Sequence, residues 1–90
     1  MVKQLSFAQS LNIETIPVDS SAIKSIGYSH FTELLIIHFH PSRDGIEYLY
    51  TYSKVPQTIV EEFLRSKSKG KFYNDNIKNH WFDCTRITLT

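Results

Sequence analysis

The chain has 90 residues, 41% of them hydrophobic and 21% charged, with a formal net charge of +1. That size suits one domain with a small core, burying only about 60–65% of the surface its unfolded form exposes. The hydrophobic share excludes a disordered chain, and the near-neutral balance excludes a partner held by bulk charge alone.

Cys84 is the single cysteine, so no internal disulfide framework supports the core. The N-terminal MVKQLSFAQSLN lacks a signal-peptide h-region, and the longest apolar run, residues 34–37, is far short of a membrane span. A soluble, cytoplasmic protein is the expectation.

Residues 1–19 read as a variable arm. Leu5, Phe7 and Leu11 give it a sticky edge or a short helix, residues 12–17 read as extended, and Pro17 keeps Ile16 out of the helical region. IKSIGYS, residues 23–29, predicts a first strand with Ile26 and Tyr28 on one face. Gly27 between them signals a bulge or a close backbone passage. A turn at His30, Phe31 and Thr32 leads into TELLIIHFH, residues 32–40, the clearest strand. Its alternation puts Leu35, Ile37 and Phe39 on one face, which should meet a helix, and Leu34, Ile36, His38 and His40 on the other. Residues 41–45, ending in Asp44 and Gly45, form a turn. IEYLYTY, residues 46–52, is the partner strand, with Tyr48, Tyr50 and Tyr52 along one face.

Pro56 opens the main helix, with Ser53 as a candidate cap. Ile59, Val60, Phe63 and Leu64 fall on one helical stripe, and Glu61 is placed to pair with Arg65. Gly70 is the expected end of this helix or of the turn after it. Residues 72–78 predict a short helical segment turning Phe72, Tyr73 and Ile77 inward, closed by Trp81 and Phe82, and residues 86–90 alternate as a fourth short strand. The expected fold is α+β: a small antiparallel meander of three or four strands, covered by one main helix and a short C-terminal helical segment. The expected division is an arm over 1–19, a domain over 20–82 and a tail over 83–90 that forms a short edge strand.

Several local patterns then join: IKSIGY, LIIHF, a turn glycine, YTYSKVP and SKGKFYNDNI. Over about residues 20–81 the chain resembles the KTSC domain, a module named after the C-terminus of some lysyl-tRNA synthetases. The tyrosine pair Tyr50 and Tyr52, Val55 and Pro56 behind it, and Ser68 and Gly70 before Phe72, Tyr73 and Asn74 carry the resemblance. It implies a small antiparallel sheet followed by helices and, through the synthetase context, RNA binding. This chain adds its first 19 residues, the tail after Phe82, and Tyr48 in the tyrosine row.

The residues give that implication a chemistry. Arg65, Lys67, Lys69 and Lys71 place four cations within seven residues, and Lys78 follows one turn on. A bend at Gly70 would gather them on phosphates, with the amides of Gly70 and Lys71 as further donors. Tyr50, Tyr52 and Tyr73 would stack exposed bases. A plainer account is also open: lysines suit a helix end and keep a surface soluble. The tyrosines have a second reading too. Their rings would pack under the main helix with hydroxyls bonded around Ser68, Gly70 or Asn74, making Ser68 and Asn74 a structural brace.

The expected activity is that of a noncatalytic binding module for RNA or another phosphate-bearing partner. The alternative is protein interaction or homodimerisation through the Leu34 and Ile36 face and the N-terminal arm. His38 and His40 alone do not make a tetrahedral zinc site, and Cys84 would need a helix to pair with His80 as a nucleophile. No catalytic residue, metal, small-molecule cofactor or membrane partner is expected.

Overall fold

The structure, a computed structural model, describes residues 14–78 and 83–89. The expectations placed on Leu5, Phe7, Leu11, His80, Trp81 and Phe82 lie outside the described residues. Strands β1 (Thr15–Pro17), β2 (Ile23–Ser29), β3 (Leu34–Phe39) and β4 (Glu47–Tyr52) come first. Helices α1 (Gln57–Arg65) and α2 (Lys69–Tyr73) follow; α2 runs straight into a π turn (Asn74–Lys78), and strand β5 (Cys84–Leu89) comes last. The strands lie in chain order, β1-β2-β3-β4-β5, and every neighbouring pair is antiparallel. This is the expected meander with one strand more at each side than its three-strand centre, because residues 15–17 and 84–89 both join the ladder.

The bulge signalled in β2 sits elsewhere than expected. Gly27 pairs in regular register with Ile36, and the slip falls between Ile23 and Ser25, so Lys24 is the extra residue. One inserted residue changes the parity of side chains. Ile23 and Ile26 therefore both enter the helix-side core although they are three apart, while Ser25 is buried without joining that core.

Leu35 and Ile37 are fully buried beneath the helices, Phe39 packs beside them, and Tyr52, Val55, Val60, Phe63, Tyr73 and Ile77 complete this core. Tyr52 lies opposite Leu35 and Tyr50 opposite Ile37, so the tyrosine row of β4 belongs to the helix-covered face. A second cluster lies across the sheet. Ile36 is 0% and Leu49 2% exposed there, with Leu34, Ile87 and Leu89 packed around them. Ile36 is thus not a surface residue. The dimer contact expected through Leu34 and Ile36 loses its central side chain, and Ile36→Ser would be a core substitution.

The connections explain where the elements stop. Glu33 adopts φ 55°, which ends the β2–β3 turn one residue before Leu34. Its carbonyl accepts from Val55 N–H at 2.9 Å, and the Val55 carbonyl accepts from the Tyr28 hydroxyl at 2.6 Å. Gly45, at φ +80°, supplies the left-handed residue of the β3–β4 turn. Pro56 is the cap position of α1, and no side chain caps it; the Ser53 amide instead donates to the Asp83 carbonyl at 2.9 Å, tying the exit of β4 to β5. The helix ends at Ser66, which turns extended and returns both its amide and its hydroxyl to the Phe63 carbonyl. Gly70 does not terminate it. Gly70 lies within α2, where an added Cβ would meet Ala22 Cβ at an ordinary 3.9 Å.

Candidate phosphate-binding cleft

The lysine-rich bend is the link between α1 and α2. Ser68 is the cap of α2, its hydroxyl accepting from the Lys71 amide at 3.3 Å. Asn74 is the residue after α2; its amide donates back to the carbonyls of Gly70 and Lys71. Neither side chain braces a tyrosine. The Tyr52 hydroxyl instead meets the Tyr73 hydroxyl at 2.5 Å. Phe39 stands edge-on to both Tyr50 and Tyr73, with ring centroids 5.1 and 5.3 Å apart.

Burial decides between the two readings of the tyrosines. Tyr52 is 2% and Tyr73 7% exposed, and Tyr50 is half-buried against the same core. A base needs an open ring face to stack on, so the expected platform of Tyr50, Tyr52 and Tyr73 is not present. Burial raises the pKa of Tyr52 and of Tyr73, and both hydroxyls stay protonated across the neutral range.

The cations are not equivalent. Lys71 Nζ is 2.7 Å from Asp75 Oδ2, one turn on, and that hydrogen bond and charge raise its pKa. The spacing is readable in the sequence as an i,i+4 pair. Arg65 lies at the end of α1, 3.9 Å from Glu61, and donates to the Glu61 carbonyl at 3.4 Å. The Lys69 ammonium donates to the Ser66 carbonyl, folding back along the bend. Lys67 and Lys78 are exposed and form no ion pair with another described residue.

The bend faces a loop distant in sequence. Asp19, Ser20 and Ser21 close against Lys67, Ser68, Lys69 and Gly70 around a polar cleft of about 270 Å³. The Ser20 hydroxyl accepts from the amides of Ala22 and Ile23 at 3.2 and 3.1 Å, which fixes this turn. His40 Nε2 lies 3.0 Å from the Ser20 carbonyl on the outside of the same turn. Sequence reasoning misses these serines because only the packing of α2 against the start of β2, Gly70 facing Ala22, brings residue 20 beside residue 68. Asp–Ser–Ser before a strand reads as a turn, and its partner is not encoded locally. The residues around this cleft are three serines, two lysines and a glycine, with Asp19 as the one acidic member.

Away from the cleft, three titratable groups meet at the start of β4. His38 Nε2 is 2.8 Å from Glu47 Oε1, and Lys24 Nζ is 3.5 Å from the same oxygen. Cys84 is exposed on a strand, so the helical geometry that pairing with His80 required is absent. Among the described residues no three His, Cys, Asp or Glu side chains gather as a metal site, and no helix is long and apolar enough to cross a membrane. The hydrogen bond from His38, assisted by the charge of Lys24, holds the Glu47 carboxyl below its ordinary 4.5 against a smaller effect of burial. A carboxyl with a lowered folded pKa stabilises above its unfolded value, and that gain is lost as pH falls through the folded one. Glu47→Gln is therefore expected to lower the melting temperature at neutral pH, with the gap to wild type closing under acid in a pH series of thermal melts.

Comparison with known proteins places this architecture. The family model described as KTSC domain matches residues 19–82. The crystal structure of a KTSC domain protein from Yersinia pestis superposes with a TM-score of 0.72 at 36% identity, covering 83% of this chain and 97% of that one. A protein of Tsukamurella paurometabola is 36% identical over 62 residues, 69% of this chain and 85% of the relative. One of Stutzerimonas stutzeri is 27% identical over 75 residues, 83% of this chain and 99% of the relative. The matched stretch holds the meander of β2 to β4, both helices and the lysine-rich bend, and on that ground the chain belongs to the KTSC domain family.

Proposed function

We propose that this protein is a noncatalytic, cytoplasmic binding module that grips a phosphodiester backbone, with single-stranded RNA as the first candidate. The observation that supports it is the cleft lined by Lys67, Lys69, Ser20, Ser21 and Ser68, with Asp19 its one acidic residue. Recognition on this reading is by phosphate alone. Contacts of that kind position a strand and carry little sequence information, and their free energy is largely counterion release. With a net charge of +1 there is little long-range attraction to add, so weak and strongly salt-dependent binding is expected.

The test is a salt titration against a random single-stranded RNA pool. Lys67→Ala/Lys69→Ala is expected to keep the circular dichroism of wild type, weaken binding, and flatten the log–log salt slope by about 0.7 for each phosphate no longer neutralised. Asp75→Asn is expected to act oppositely, because it releases Lys71 from its ion pair. Unchanged affinity and slope in the double lysine variant would reject the cleft as the site.

A further inference from the structure

We infer that the protein self-associates by exchanging Phe31: the ring of each copy enters an apolar groove between β1 and α1 of the other.

The groove follows from the width of the sheet. The five strands span roughly 19 Å between outer axes, and at the β1 edge the sheet runs past the cover of the helices. Ile16 pairs with Ile26 and shares its helix-side face. Ile26 is buried beneath the helices, but Ile16, one strand further out, is left 61% exposed. Leu64, the last apolar residue of the α1 stripe, overhangs the same lane and is 43% exposed. Between them lies a cavity of about 240 Å³ with Ile26, Tyr28 and Val60 on its walls and Glu14 and Glu61 among its polar lining. It is large enough for one aromatic ring.

The proposed ring lies close by in the chain. Phe31, at the tip of the β2–β3 turn, is 98% exposed, and its neighbour His30 lines the groove. Isolated exposed hydrophobics are ordinary on a protein surface. Here the exposed large hydrophobics of the described residues are Ile16, Phe31 and Leu64; two form the groove and the third projects beside it. A projection and a cavity side by side on one surface are self-complementary under a two-fold axis, since each copy then donates and receives once. A second copy is the occupant this arrangement fits, because the aromatic side chain it needs is supplied by the same surface.

The contact is small. Each ring contributes on the order of 150–250 Å², so the pair remains below the roughly 1,200 Å² of a stable interface. A reversible dimer with Kd between about 1 µM and 1 mM is expected. Neither Phe31 nor Leu64 lines the phosphate cleft, so this association is independent of RNA.

Sedimentation equilibrium of the whole chain from micromolar to millimolar concentration tests it. Wild type is expected to associate, and Phe31→Ala and Leu64→Lys each to raise Kd at least about tenfold; both positions are exposed enough for the fold to tolerate the change. Mixing the two variants is expected to restore part of the association, because the Leu64→Lys copy still carries a ring and the Phe31→Ala copy still carries an open groove. A wild type that stays monomeric throughout, a Phe31→Ala variant that associates like wild type, or a mixture no more associated than its components would each overturn the exchange.

Discussion

Truncating Phe63 to alanine is expected to cost about 3–5 kcal/mol, the upper range for a single core side chain. Phe63 is fully buried, and its ring stacks on Phe72 with centroids 5.4 Å apart and planes 14° from parallel. That pair joins α1 to α2. Its loss opens a cavity under the main helix and removes the surface against which the short helix packs, so the lysine-rich bend would loosen with it. Domains of this size have little reserve, since total stability is about 5–15 kcal/mol and the smallest lie near the lower end. Each kcal/mol moves the midpoint by about 4–8 °C in a chain of this length, so a fall of more than about 12 °C is expected by circular dichroism. Leu64→Ala, next in the sequence but 43% exposed, serves as the control and should change stability by no more than about 0.5 kcal/mol. Similar melting of Phe63→Ala and wild type would mean that the two helices do not share this core.

The contrast between Phe63 and Leu64 shows what the sequence could convey. Helical periodicity places both on one stripe, and strand patterning predicts β2 over residues 23–29 as found. Periodicity cannot tell how far the sheet extends under the stripe, because that depends on β1 joining at the edge. Alternation similarly predicts the tyrosine row correctly as one face of β4. It gives no way to choose which face is covered, since Leu49 and Tyr52 point to opposite sides and are both 2% exposed. Period-two reasoning discriminates only when one face is wet. At the site, the lysines are legible as a cluster, but their roles are not. Those roles depend on local pairings such as Lys71 with Asp75, and on a turn at Ser20 that meets the bend only once α2 packs against the start of β2.

The second large effect concerns the two tyrosines whose hydroxyls meet in the core. Tyr52→Phe leaves the Tyr73 hydroxyl buried without this partner, at a cost of about 1–3 kcal/mol, whereas in Tyr73→Phe the Tyr52 hydroxyl keeps its hydrogen bond with Cys84. The double variant removes donor and acceptor together, so it should be little worse than Tyr52→Phe, with a coupling of about 1 kcal/mol in a double-mutant cycle by urea denaturation. Strict additivity would show that the two hydroxyls do not act as a pair. The same burial fixes the alkaline behaviour. Both phenols have folded pKa values raised above the ordinary 10.0. For a group raised on folding, the stabilisation is present in full below its unfolded pKa and is lost as pH rises toward the folded one. Stability should therefore fall above pH 10.0, with the tyrosinate absorbance of this pair appearing only as the fold is lost. Tyr28 is also raised, by burial and then by Glu33. In Tyr52→Phe/Tyr73→Phe the alkaline loss of stability should ease, as expected if the pair resists ionisation until the helices leave the sheet.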